Sequence, residues 1–217
     1  MLHDLLMQCA KEEIERKSFG VVEQFLKIHE IFYIGNEPQI DRIDTDKNDN
    51  TAVVYFPVRD EKFHLALHLN TQPEIAVTSA HVESNNVVYF VAYSELFDYE
   101  GMRSMTRLKV TEGKNKGDKK KFSDAVYTDN WIAFEPNPEP DEFEDKLKKL
   151  LDFLEQDRPG VKNLIENANG YIQAQMIFHN GDAILGGPSM NKKTIQRMAA
   201  LNLEIKFEMY AEGEKWK

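Results

Sequence analysis

Asp141 to Glu155 reads DEFEDKLKKLLDFLE, and the reading of this stretch decides the fold class. Phe143, Leu147, Leu150, Leu151 and Leu154 recur at the spacing of one helical face, and nearly every other position is charged. Glu142 stands before Lys146, Glu144 before Lys148 and Asp145 before Lys149, the favourable order for ion pairs along a helix. Pro138 and Pro140 punctuate the start, and Asp141 can cap the helix or load its first turn with negative charge. Such an apolar stripe requires a sheet to cover.

Sheet material lies on both sides of it. Upstream, Asn130–Glu135 (NWIAFE) alternates, with Trp131 and Ala133 on one face and Ile132 and Phe134 on the other. Val87–Tyr93 (VVYFVAY) is a second strand, followed by a helix that turns Met102, Met105 and Leu108 inward. Downstream, Pro159-Gly160 opens a shorter helix carrying Val161, Leu164, Ile165 and Ala168, which Gly170 closes. Tyr171–Phe178 alternates as a strand with Ile172, Ala174, Met176 and Phe178 inward. Ile195, Met198 and Ala199 mark another helix, and Leu203–Tyr210 is the last strand.

The first third has a different pattern. Leu2, Leu5, Leu6, Cys9 and Ala10 form one helical stripe and Val21, Val22, Phe25, Leu26 and Ile28 a second, as two short helices or one bent helix. Cys9 reads as a buried structural thiol. Thr51–Val58 is nearly all apolar, as a central or doubly covered strand is. Lys62–Leu69 alternates, with Phe63, Leu65, Leu67 and Leu69 inward and Lys62, His64, Ala66 and His68 outward. Glu74–Glu83 completes a meander. The expected fold is therefore α+β. Residues 1–84 form N-terminal helices on an antiparallel β-meander. Residues 85–217 form a ferredoxin-like α/β sandwich in which a split β-α-β unit is duplicated.

Composition narrows the function classes. The 217 residues are 41% hydrophobic and 29% charged, an ordinary globular balance. A net charge of −10 disfavours nucleic acid and anionic membranes as partners and suits a basic protein. From the lone cysteine and the acidic, interrupted N-terminus the expected location is the cytoplasm, with no membrane partner.

Five phrases in the second half, YFVAYSELFDYEGM, GKNKGDKKKF, DNWIAFE, DKLKKLLDFLEQ and AALNLEIKFEMYAEGE, together resemble a bacterial family, domain of unknown function 4279. The resemblance runs over roughly residues 87–213. It rests on the Lys116-Gly117-Asp118 loop, the Asn130-Trp131 strand, the leucine-rich helix and the closing strand with Ile205, Phe207, Met209 and Tyr210. Val110 stands before Thr111 where the family often has proline. The resemblance implies a fold and a bacterial setting, and no catalytic residues.

Motif by motif, the chemistry-bearing residues resolve into structural readings. DTDKNDN (Asp44–Asn50) puts Asp44, Asp46 and Asn48 at the first, third and fifth positions of a calcium loop, but Asp49 replaces its glycine and Tyr55 its final glutamate. His64 and His68 are separated by ~13 Å of strand, too far to share one ion, and His81 can approach one of them. Lys114, Lys116, Lys119, Lys120 and Lys121 lack phosphate-loop spacing. Gly181, Gly186, Gly187 and Pro188 punctuate a loop in which Ser189 or Asn191 caps the next helix. Trp131, Tyr89 and Tyr93 can line a pocket, although strand aromatics usually belong to the core. No catalytic residue, cofactor or metal ligand is expected.

The leading expectation is a non-enzymatic module that binds another protein, one concrete form being neutralisation of a basic toxin. The candidate surface is Glu135, Glu139, Asp141, Glu142, Glu144 and Asp145. An enzyme or small-molecule binder with its site between the two halves is the alternative, and a homo-oligomeric scaffold a third class.

Overall fold

The computed structural model describes residues 2–47, 49–121, 123–181 and 187–215; Asn48, Phe122 and Gly186 of the motifs above lie outside the described residues. The chain is a mixed α+β fold built on two sheets. In the first half, α1 (Leu2–Arg16) and α2 (Gly20–Phe25) are separate helices. A small hairpin, β1 (Tyr33–Ile34) and β2 (Glu37–Pro38), leads into a four-stranded antiparallel sheet. Its strands are β3 (Arg42–Asp44), β4 (Thr51–Pro57), β5 (His64–Asn70) and β6 (Ala76–Glu83), in that spatial order.

The α1 stripe is Leu6, Ala10, Glu13 and Ile14, while Leu2 and Leu5 are exposed and Cys9 is only half-buried. Glu13 is tolerated in that stripe because its carboxylate accepts from Ser18 Oγ and the Phe19 amide, tying α1 to α2. Leu65, Leu67 and Leu69 of β5, with Phe63, join Ala52, Val54 and Phe56 under these helices. The residues expected to face solvent from β5 do not all do so. Ala66 is fully buried with Val53 and Tyr55, because the second half of the chain covers the other face of this sheet.

The second half contains β7 (Asn85–Ser94), α3 (Tyr99–Arg103), β8 (Glu112–Lys114), β9 (Asn130–Phe134), α4 (Phe143–Leu154), α5 (Arg158–Ala168), β10 (Tyr171–His179), α6 (Lys192–Ala200) and β11 (Ile205–Glu212). The five strands run in the order β11-β10-β7-β9-β8. All neighbours are antiparallel except β10 and β11, which α6 joins as a parallel pair. That order departs from a duplicated split unit. In a split unit another strand separates the two parallel strands, whereas here β10 and β11 touch and β7 and β9 are antiparallel neighbours.

The stripe of α4 lands where its spacing places it: Phe143, Leu147, Leu150, Leu151 and Leu154 are all buried over Phe90, Ile132, Phe134 and Ala174. Val161, Leu164 and Ala168 of α5 and Met198 of α6 finish the same layer. Ile195 of the same helix is 52% exposed. The helix after β7 is only five residues long, because Thr106 leaves it to donate its hydroxyl to Asp157 at 2.8 Å. That carboxylate also accepts from the Arg107 and Gly160 amides. A side chain at Gly160 would put its Cβ 2.8 Å from Thr106 Cα, so the crossing requires glycine. The left-handed residue that ends α5 is Asn169 (φ 44°) rather than Gly170.

Replacing Leu151 by Ala lowers unfolding free energy by about 2–5 kcal/mol, read from urea midpoints, while Ile195→Ala leaves the midpoint near wild type. Equal midpoints for wild type and Leu151→Ala would put the wrong face of α4 on the sheet.

Candidate functional site

Helices cover one face of the five-stranded sheet, and alternation along the strands sorts the aromatics between the two faces. On β7, Val88, Phe90 and Ala92 point into the helical core, and Val87, Tyr89, Val91 and Tyr93 point the other way. On β9, Ile132 and Phe134 go to the core, and Trp131 lies directly across from Tyr93 on the opposite face. On this open side the Gly- and Lys-rich segment after β8 forms a partial roof. Its two arms are joined by Gly117 N–H to Tyr127 O, Tyr127 N–H to Asp118 O and Lys120 N–H to Ala125 O, each at 2.9 Å. Asn115 and Asn130 pin the base of the roof: Asn115 Oδ1 accepts from the Tyr99 amide and Asn130 Oδ1 from the Lys116 amide, both at 2.8 Å. Gly113 lets β8 approach, since a Cβ there would meet Trp131 O and the Tyr99 ring at 2.7 Å.

Between roof and sheet lies a groove of about 420 Å³, within the range of small-ligand and side-chain sites. Tyr89, Tyr93, Tyr127 and Trp131 supply its rings, Glu112, Asp129 and Glu135 its carboxylates, and Lys120 an ammonium. Burial, reinforced by neighbouring phenols, pushes Tyr89 and Tyr93 up to about 12, so both remain protonated donors at neutral pH. Burial raises the Glu135 carboxyl as well; Glu112 adds to that and Lys146 opposes it.

The acidic residues expected to form one docking surface are distributed over different tasks. Asp141 is fully buried between the two halves, where Arg42 Nη1 approaches it at 2.9 Å and Lys149 Nζ at 2.8 Å. Burial works against its charge, yet these two cations hold the carboxyl below its ordinary range. Glu142 and Asp145 bind Lys47, and Glu144 accepts from the Ser189 amide. Glu139 is exposed beside Arg42, and Glu135 belongs to the groove. The helical pairs expected from spacing are replaced. Lys146 is buried and donates to Asn137 O at 2.8 Å, burial lowering it to about 8, while Lys149 turns to Asp141. The N-cap position is Glu142, without a side-chain cap bond.

Asp44, Asp141 and Asp145 bring carboxylate oxygens within 4.8 Å of one another, close enough to hold a cation. The cations already among them are Lys47 and Arg42. Lys47 is raised above its ordinary value, because hydrogen bonds to Asp145 and Glu142 outweigh its burial. Thus the calcium-like DTDKNDN stretch contributes an internal ion-pair knot. His64 pairs with Asp41 at 3.0 Å, and His68 meets His81 edge-on at 5.1 Å.

A second juxtaposition left no trace in the sequence. His29, after α2, and His179, at the end of β10, meet with Nε2 atoms 2.9 Å apart, packed against Phe25 and Phe63. The Gly181 amide donates to His179 Nδ1 at 3.2 Å, so the neutral His179 carries its proton on Nε2 and donates it to His29. His29 then holds its own proton on Nδ1, 3.9 Å from Glu61. Nearby, a cavity of about 240 Å³ between the halves contains Glu83, Asn86, Glu142 and His179. Burial and the Glu142 charge push Glu83 up to about 7.

A family model described as Domain of unknown function (DUF4279) matches residues 83–212, a span that contains the whole five-stranded sheet and the groove. Neither the curated proteins nor the solved structures include a match.

Two outcomes follow from the contacts between halves. Arg42→Met removes one cation from the buried Asp141 carboxylate and costs about 3–5 kcal/mol of stability, measured by urea unfolding; an unchanged midpoint would show that Lys149, Lys47 and the Asn137 amide suffice. For His29, burial foremost and His179 next depress the folded pKa, with Glu214 opposing. The unfolded chain therefore takes up a proton at about pH 6.5 while the folded chain still refuses it, and this contribution to stability is lost as pH falls below about 6.5. His29→Gln keeps an acceptor and cannot titrate, so its stability falls less than wild type between pH 7.5 and pH 5.5. Parallel pH profiles would contradict this.

Proposed function

The chain belongs to the DUF4279 family, and from that premise we propose that it is a non-enzymatic binding module that receives a segment of a partner protein in the groove on the open sheet face. One observation carries the reading. Tyr89, Tyr93 and Trp131 sit on a sheet face that no described helix covers, under a roof that leaves a ligand-sized groove. Apolar side chains left open in this way mark contact surfaces, and Tyr and Trp suit them because each joins a large apolar ring to a polar tip. Among the described residues no helix is long and apolar enough to cross a membrane.

The cleft between the halves favours a second reading, an enzyme or small-molecule binder, through Glu83, whose pKa lies in the range of a general acid or base. Against it, the Asn86 amide donates to that carboxyl at 3.0 Å and also to Asp141 O, which gives Glu83 a structural place.

Binding to immobilised peptides of basic, acidic, aliphatic and aromatic composition tests the first reading. Wild type is retained by a subset. A Tyr93→Ala/Trp131→Ala variant, checked for an intact fold by circular dichroism, loses that subset. Retention of the same peptides by both, or of none by wild type, would remove the groove as the binding face.

A further inference from the structure

We infer that the groove recognises the guanidinium of an arginine side chain in a basic segment of the partner. This rests on the reading of the groove as the binding face and adds the chemistry of its ligand. Charge is the first argument. The groove holds three carboxylates, Glu112, Asp129 and Glu135, against one ammonium, Lys120. Asp129 accepts a hydrogen bond from its neighbour Thr128, but the Glu112 and Glu135 side chains have no hydrogen bond or ion pair to any described residue. Burial foremost raises the Glu135 carboxyl, Lys146 opposes this, and repulsion from the Glu112 charge adds to it. An anionic or neutral ligand leaves this repulsion in place. A cation between them removes it.

The second argument is that this sheet face already seats the protein's own cations on its rings. Lys206 Nζ lies 3.6 Å from the centroid of Tyr171, and Tyr171 stacks on Tyr93, centroids 6.1 Å apart and planes at 21°. Across the groove, Lys120 Nζ lies 5.5 Å from the Tyr127 centroid, and Tyr127 packs beside Trp131 at 5.8 Å. The electron-rich faces of Tyr and Trp attract such charges most strongly where water is thinned out. Geometry then selects arginine over lysine. A planar guanidinium stacks flat on an aromatic ring while its fork of donors reaches two acceptors, which matches aromatic walls beside two unpaired carboxylates; a lysine ammonium is a compact point charge and cannot do both. Protonated Tyr89 and Tyr93 leave the charge balance of the groove to the carboxylates at neutral pH.

The probes are an acetylated, amidated Gly-Gly-Arg-Gly-Gly peptide, its citrulline counterpart and maltotriose. The readout is the Trp131 indole N–H resonance, assigned by its loss in Trp131→Phe. The arginine peptide shifts this resonance in a saturable way, and citrulline, equal in shape and uncharged, binds at least about tenfold more weakly. Glu112→Gln/Glu135→Gln weakens the arginine peptide by a similar factor, and Glu139→Gln, outside the groove, leaves it unchanged. Equal shifts from the arginine and citrulline peptides would overturn the inference yet leave the groove a binding face. A shift by maltotriose alone would overturn it in favour of a carbohydrate. No shift by any probe would also overturn it, and the peptide retention experiment above then decides separately whether the groove binds protein at all.

Discussion

The leucine stripe of α4 sets the constraint on which the rest depends. Five apolar side chains on one helical face need a sheet of matching extent, and they find it on the core side of β7, β9 and β10. α5 and α6 complete that layer, so the described helices of this half leave the reverse of the sheet to a loop. A sheet with one solvated face is ordinary for antiparallel strands. Here, however, the uncovered face carries Tyr89, Tyr93 and Trp131 instead of a polar lawn. The groove is thus a consequence of where the helices go, and the roof segment gives it depth.

The two halves are joined by polar contacts more than by a shared apolar core, since the two larger apolar clusters belong to different sheets. Arg42 and Lys47 from the first half, both also paired with Asp44, grip Asp141, Glu142 and Asp145 from the second. Asp141 is the centre of this arrangement, fully buried and held by cations from both halves. Ion pairs of this kind add little net stability over apolar packing, but losing one partner is costly, so they fix geometry. The same contacts remove Asp141, Glu142 and Asp145 from a free acidic surface. The acidic balance of the chain is consequently expressed elsewhere, including the groove.

Much of the architecture was legible because periodicity reports burial. The α4 stripe, the inward set of β5 and the two faces of β9 all follow from residue spacing, and the Asn191 cap follows from residue type. What spacing does not report is which partner a charged group chooses. Lys146 stands four residues after Glu142 yet binds Asn137 O, because the first half of the chain buries that end of α4 and a backbone carbonyl lies within reach. His29 and His179 are 150 residues apart, and only the docking of the halves brings them together. The groove did leave a signal. On β7 and β9 the parity that carries Phe90 and Phe134 into the core carries Tyr89, Tyr93 and Trp131 outward. Aromatic residues with polar tips on one face and phenylalanines on the other distinguish a half-wet surface from a core, a distinction lost when all strand aromatics are counted alike.

The central claim is that partner contact falls on the open face of the sheet and not on the acidic entry to α4. Amide hydrogen exchange, compared between the free chain and the chain saturated with the tightest-binding peptide of the retention set, tests it most directly. The account predicts slowed exchange in the segments spanning Glu112–Lys120 and Ala125–Trp131, with Pro138–Asp145 unchanged. Slowed exchange confined to Pro138–Asp145, with the roof and β9 unaffected, would contradict it.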